Sequence, residues 1–110
     1  MNIEYRSNRL KRQLTSATET KKAFGSMAKK VIQRLSEMKA SMNLAVLMQI
    51  PAAGCHQLKG SRQGEWAVNI SGNFRMIFIL TQGPLPKKED HSLDTATITD
   101  IKILGTEDYH

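Results

Sequence analysis

The hydrophobic period changes once along this chain, near Gly60, and that change restricts what it can fold into. Before it, Phe24, Met27, Ala28, Val31, Leu35, Met38 and Met42 recur every three or four residues. Such spacing predicts one helix over residues 19–42 with a single buried stripe, from which Lys21, Lys22, Lys29, Lys30 and Arg34 largely fall away. Gly25 interrupts it and marks a kink or a close approach. After Gly60, Trp66, Val68 and Ile70 alternate with Ala67, Asn69 and Ser71, the period of a strand. Ser71-Gly72-Asn73 reads as a hairpin turn, and residues 74–80 as the returning strand. Residues 95–104 alternate again. Upstream, residues 3–6 suit a short edge strand and residues 8–14 a basic helix, broken at Thr15-Ser16-Ala17-Thr18. Residues 43–50 form a second apolar turn, stopped by Pro51. The order implies an α+β domain, with N-terminal helices packed on one face of a small antiparallel β-sheet and the other face left open.

A chain of 110 residues fits a single domain, residues 1–110. The lone Cys55 excludes an internal disulfide and a Cys-rich zinc site, and agrees with a reducing compartment. Without a long apolar run or a signal pattern at Met1–Arg6, a cytoplasmic protein with no membrane contact is expected. Residues 1–62 carry 12 Lys/Arg against 3 Asp/Glu, and residues 63–110 carry 4 against 7. A basic half suggests an acidic partner, though the same lysines also serve as a solvated helix face.

The hairpin register decides where chemistry can sit. A three-residue loop sets Ile70 against Phe74. Trp66, Val68, Ile70, Phe74, Met76 and Phe78 then share the core face, while Asn69 and Arg75 take the other with Ala67, Ile77 and Ile79. A two-residue loop would press Arg75 beside Ile70, and burying an unpaired cation is costly. A guanidinium on a strand offers a phosphate a permanently charged fork. His56 and Lys59 precede the hairpin, and Asp108-Tyr109-His110 add further proton-handling groups. RNA cleavage needs a base for the 2′-hydroxyl, cations for the phosphorane and an acid for the leaving oxygen, and each has candidates here. The plainer readings stand beside these. His56 is a loop hydrogen-bonder, Arg75 pairs with an acid such as Asp100, and Tyr109 packs the tail. Residues 82–94, with Pro84 and Pro86, read as a mobile loop, too loose for His91, Asp90 and Asp94 to form a metal site.

His56, Leu58, Lys59, Gly60, Arg62, Gly64, Trp66, Val68, Gly72, Asn73, Phe74, Arg75 and Phe78, with the terminal Asp108-Tyr109-His110, together resemble the HigB-like toxins, the killer proteins of the RelE/ParE superfamily. The basic first helix, Phe24-Gly25 and the 29–38 run fit as well. Ser61, where many relatives carry an acid, and the long 82–94 loop depart from the pattern. The resemblance implies a RelE-like fold and the toxin of a type II toxin–antitoxin pair. It also implies ribosome-dependent, metal-independent cleavage of mRNA with no cofactor, leaving a cyclic phosphate and a 5′-hydroxyl. Carried over by motif, His56, Lys59, Arg75, Asp108, Tyr109 and His110 are the catalytic candidates. Lys21, Lys22, Lys29, Lys30 and Arg62 are candidates for RNA or ribosome contact. The implied partners are the ribosome with its mRNA and a helix-turn-helix antitoxin similar to HigA, through which alone operator DNA is reached. A ParE-like gyrase inhibitor and a basic nucleic-acid-binding module are the competing readings.

Overall fold

The computed structural model describes residues 1–109. Strand β1 (Asn2–Tyr5) leads into helices α1 (Asn8–Thr15) and α2 (Ala17–Phe24), then α3 (Ala28–Ala40) and the short α4 (Leu44–Met48). Strands β2 (His56–Gln57), β3 (Glu65–Ser71), β4 (Phe74–Leu80) and β5 (Asp100–Asp108) follow. The sheet order is β1-β5-β4-β3-β2. All pairs are antiparallel except β1 with β5, which run parallel. The α+β class and the helix-covered sheet therefore hold, and one parallel pair joins the two ends of the described chain.

Side-chain caps punctuate the helices. Ser7 accepts from Leu10 N–H and Asn43 from Val46 N–H, at 3.0 Å each. Ser16, with Glu19 three residues on, starts α2. The single long helix expected over residues 19–42 is two. Gly25 sits at φ +55, which side-chain-bearing residues rarely adopt, and a 3₁₀ turn over Gly25–Met27 separates α2 from α3. Met42 lies outside the stripe and is exposed. Arg34, read as lying off the stripe, is buried instead.

The hairpin register is the expected one, reached differently. Asn69 faces Arg75, Val68 faces Met76 and Trp66 faces Phe78. The loop, however, has two residues, Gly72 and Asn73, so Ser71 faces Phe74 and Ile70 is the extra residue of a bulge. The bulge absorbs the odd count, so Arg75 stays off the core face even with the shorter turn. Where it interrupts the ladder, Arg34 Nε donates to the Asn69 carbonyl at 2.6 Å, and Arg34 Nη1 donates to Glu37. A buried cation with both partners satisfied thus ties α3 to β3.

The core lies between the helices and one sheet face, with Val31, Leu35, Met38, Leu44 and Leu47 against Trp66, Val68, Met76, Phe78 and Ile101. The opposite face is only partly open: Leu58 folds over Ala67 and Ile77 in a second, smaller cluster. The last strand starts later and ends later than the 95–104 alternation suggested, since residues 95–97 form a 3₁₀ turn. Residues 82–94 are not a loose loop. Lys87 bridges Leu93, Asp94 N–H donates to the Pro86 carbonyl, and Leu93 packs on the core.

Candidate active site

Arg75 stands in mid-sheet on β4, opposite Asn69 on one side and Glu107 on the other. Its partner is Glu107, not Asp100. Arg75 Nε and Nη2 both donate to Glu107 Oε1, at 2.8 and 2.6 Å. The guanidinium carbon lies 4.0 Å from the centre of the Tyr109 ring, a cation–π contact. Tyr109 itself is held by its N–H, which donates to the Asn73 carbonyl at 3.0 Å. The Arg75 side chain is only 11% exposed. It is a fixed cation, not a waving one.

Arg62 completes the network. Its Nη1 donates to the same Glu107 Oε1 at 2.5 Å, while Nε and Nη2 donate to Glu65 Oε1 at 3.2 and 2.7 Å. Carboxylate hydrogen bonds hold the Arg62 guanidinium still more firmly protonated than usual. The Arg62 hydrogen bond, and then that of Arg75, outweigh burial and lower the Glu107 pKa below the ordinary carboxylate value. The chain Glu65–Arg62–Glu107–Arg75 is neutral overall. Arg62, a candidate for RNA or ribosome contact, is thus engaged by two carboxylates.

His56 shares this face, since it pairs with Ala67, two residues along β3 from Asn69. Strand spacing puts its Cα about 12 Å from that of Arg75. Its Nδ1 donates to the Gly54 carbonyl at 2.9 Å. A carbonyl only accepts, so Nε2 is the basic nitrogen of the neutral ring. Gly54 is required there: φ is +50, and a Cβ would meet Asn69 Nδ2 at 2.4 Å. Lys59 is exposed on the following loop, in a cleft with Gln57, Gly60 and Gln63. It is not a member of the arginine–glutamate network.

Asp108 pairs with Phe74, whose ring packs on the core, so strand alternation turns Asp108 to the helix side, away from Arg75. The terminal triplet is therefore split: Tyr109 joins Arg75 and Asp108 does not. His110 lies outside the described residues. Lys21, Lys22, Lys29 and Lys30 are exposed on α2 and α3. Lys22 lies 3.8 Å from Glu19, and Lys30 Nζ donates to Ser71 Oγ at 3.4 Å, which brings Lys30 to the hairpin end of the sheet. Glu107 and Glu65 escaped the sequence reading; the one available signal was that a strand-borne arginine needs a cross-strand acid. The Asp90 carboxylate accepts from Ser92, and no cluster of potential metal ligands occurs among the described residues. No described helix is long and apolar enough to cross a membrane.

Residues 3–87 match the family described as the RelE-like toxin of type II toxin–antitoxin system HigB. His56, Lys59, Arg62 and Arg75 fall within that span; Glu107 and Tyr109 lie beyond it. Among solved structures, the chain is similar to a YoeB/ParE toxin from Agrobacterium tumefaciens, with TM-score 0.57 and 11% identity over 100% of both chains. It is also similar to the YoeB-YefM complex from Staphylococcus aureus, with TM-score 0.52 and 16% identity, covering 100% of this chain and 97% of that one. Identities this low speak for the fold alone. No curated protein sequence matches.

Proposed function

The chain belongs to the HigB-like toxins of type II toxin–antitoxin systems, and on that premise we propose that it cuts ribosome-bound mRNA with its own side chains. The supporting observation is Arg75: a guanidinium fixed on a central strand by Glu107 and stacked on Tyr109. In the proposed reaction a base takes the 2′-hydroxyl proton, and the 2′-oxygen attacks the adjacent phosphorus. A phosphorane forms, the bond to the 5′-oxygen breaks, and an acid protonates that oxygen. The products are a 2′,3′-cyclic phosphate and a 5′-hydroxyl. Arg75 stabilises the phosphorane charge. Lys59, on the loop after β2, supplies a second cation for the RNA phosphates. His56, through Nε2, and His110 share the base and acid duties, with Tyr109 orienting Arg75 and the phosphate. Family membership implies an antitoxin partner, and we assign it to a HigA-like helix-turn-helix protein. The exposed lysines of α2 and α3 are assigned to ribosomal RNA phosphates, a sequence-independent, salt-sensitive contact.

The test is expression of the wild type and Arg75→Ala in bacteria, with mapping of mRNA 5′ ends. Cuts inside translated messages, absent in the variant, are expected. Growth arrest with intact mRNA would instead indicate a gyrase-type poison. Neither arrest nor cleavage would indicate a simple binding module.

A further inference from the structure

Three donors from two arginines converge on a single oxygen, Glu107 Oε1. That acid lies at the centre of the site yet fills none of the roles above. Its chemistry excludes the obvious one. A carboxylate under two guanidinium groups is poorly basic, so Glu107 does not take the 2′-hydroxyl proton.

Its geometry points elsewhere. Glu107 takes the Nε–Nη2 edge of Arg75. The remaining edge, Nη1 with the second Nη2 hydrogen, lies away from Glu107 as the fork for a phosphate. Glu107 cannot easily swing aside, because Arg62 grips the same oxygen and is itself fixed by donating two hydrogen bonds to Glu65. Arg6 lines the same cleft.

We infer that Glu107 is the positioning residue of the cleavage site, holding Arg75 flat on Tyr109 and keeping that cation paired until charge builds on the phosphorane. This rests on the reading of Arg75 as the phosphate ligand. The advantage follows from differential binding. An unpaired arginine would hold the ground-state phosphate strongly and gain little more at the transition state. A partly neutralised, fixed arginine discriminates better between a singly charged phosphodiester and the more highly charged phosphorane.

Glu107→Gln keeps the size and removes the charge. Single-turnover cleavage of a short message on programmed ribosomes, at increasing toxin concentration, separates affinity from rate. For Glu107→Gln we expect half-saturation at a roughly fivefold lower concentration and a maximal rate lower by about tenfold. Glu107→Asp recovers part of the rate. A message with a 2′-deoxy nucleotide at the cut should also bind the Gln variant more tightly. Simple structural damage would weaken binding and rate together, and that result, or no change in either, overturns the inference. Arg75→Ala, assayed in parallel, separates the two failures. If it still cleaves, the reading of Arg75 is wrong and the inference falls with it. If it is inactive while Glu107→Gln behaves as wild type, only the positioning role is wrong.

Discussion

Arg75→Lys isolates what the guanidinium contributes beyond its charge. The ammonium still reaches one Glu107 oxygen, so the positive charge and one hydrogen bond survive. Three things are lost: the second donor to Glu107, the planar stack 4.0 Å from the Tyr109 ring, and the outward fork. The stack contributes about 0.5–1 kcal/mol. A charge-assisted hydrogen bond to the reacting phosphate contributes about 1.5–3 kcal/mol. The sum, roughly 2–4 kcal/mol of transition-state stabilisation, converts to about 30- to 1000-fold in rate. The assay is single-turnover cleavage on programmed ribosomes, with urea unfolding to show that the variant is folded. A rate within about threefold of wild type would refute the reasoning, because orientation by Glu107 and Tyr109 would then be irrelevant to the chemistry.

Arg34→Met leaves the Asn69 carbonyl without its donor and the Glu37 carboxylate without its cation, so stability should fall by about 2–4 kcal/mol. A lower urea midpoint at unchanged slope checks this. Glu107 has a depressed pKa in the folded state, so its contribution is present above the unfolded value, near 4.5, and is lost as pH falls through the folded value. The stability difference between wild type and Glu107→Gln should therefore be full at neutral pH and shrink on acidification, as chemical denaturation at several pH values would show. Cys55 is buried enough for desolvation to push its thiol up to about 12, so alkylation by iodoacetamide at pH 8 should be slow in native protein and fast in urea. Equal rates would contradict that burial.

The strand faces were legible because alternation with period two leaves only two choices, and an unpaired buried arginine makes one of them expensive. The bulge at Ile70 was not legible: it restores the same pairing from a shorter turn, and a local pattern does not distinguish the two routes. The long helix failed at Gly25, where the apolar stripe continues in sequence while the backbone turns away. Arg34 shows a limit of periodicity, because its burial depends on a carbonyl released by a bulge on another element. The candidate site was half visible. His56, Lys59 and Arg75 sit in a contiguous motif. Glu107 reaches Arg75 only through β-pairing across 32 residues of sequence, and the terminal triplet was read as a unit until the strand alternation separated Asp108 from Tyr109.

The order of the sheet has a consequence for how the toxin comes into being. β5, latest of the strands in the chain, lies in the interior of the sheet, between β4 and the very first strand. A nascent polypeptide that has emerged only as far as β4 holds Arg75 without Glu107 or Tyr109, and β1 has no neighbour to pair with. Assembly must await the delivery of residues 100–109, so the sheet and the surroundings of Arg75 are completed last.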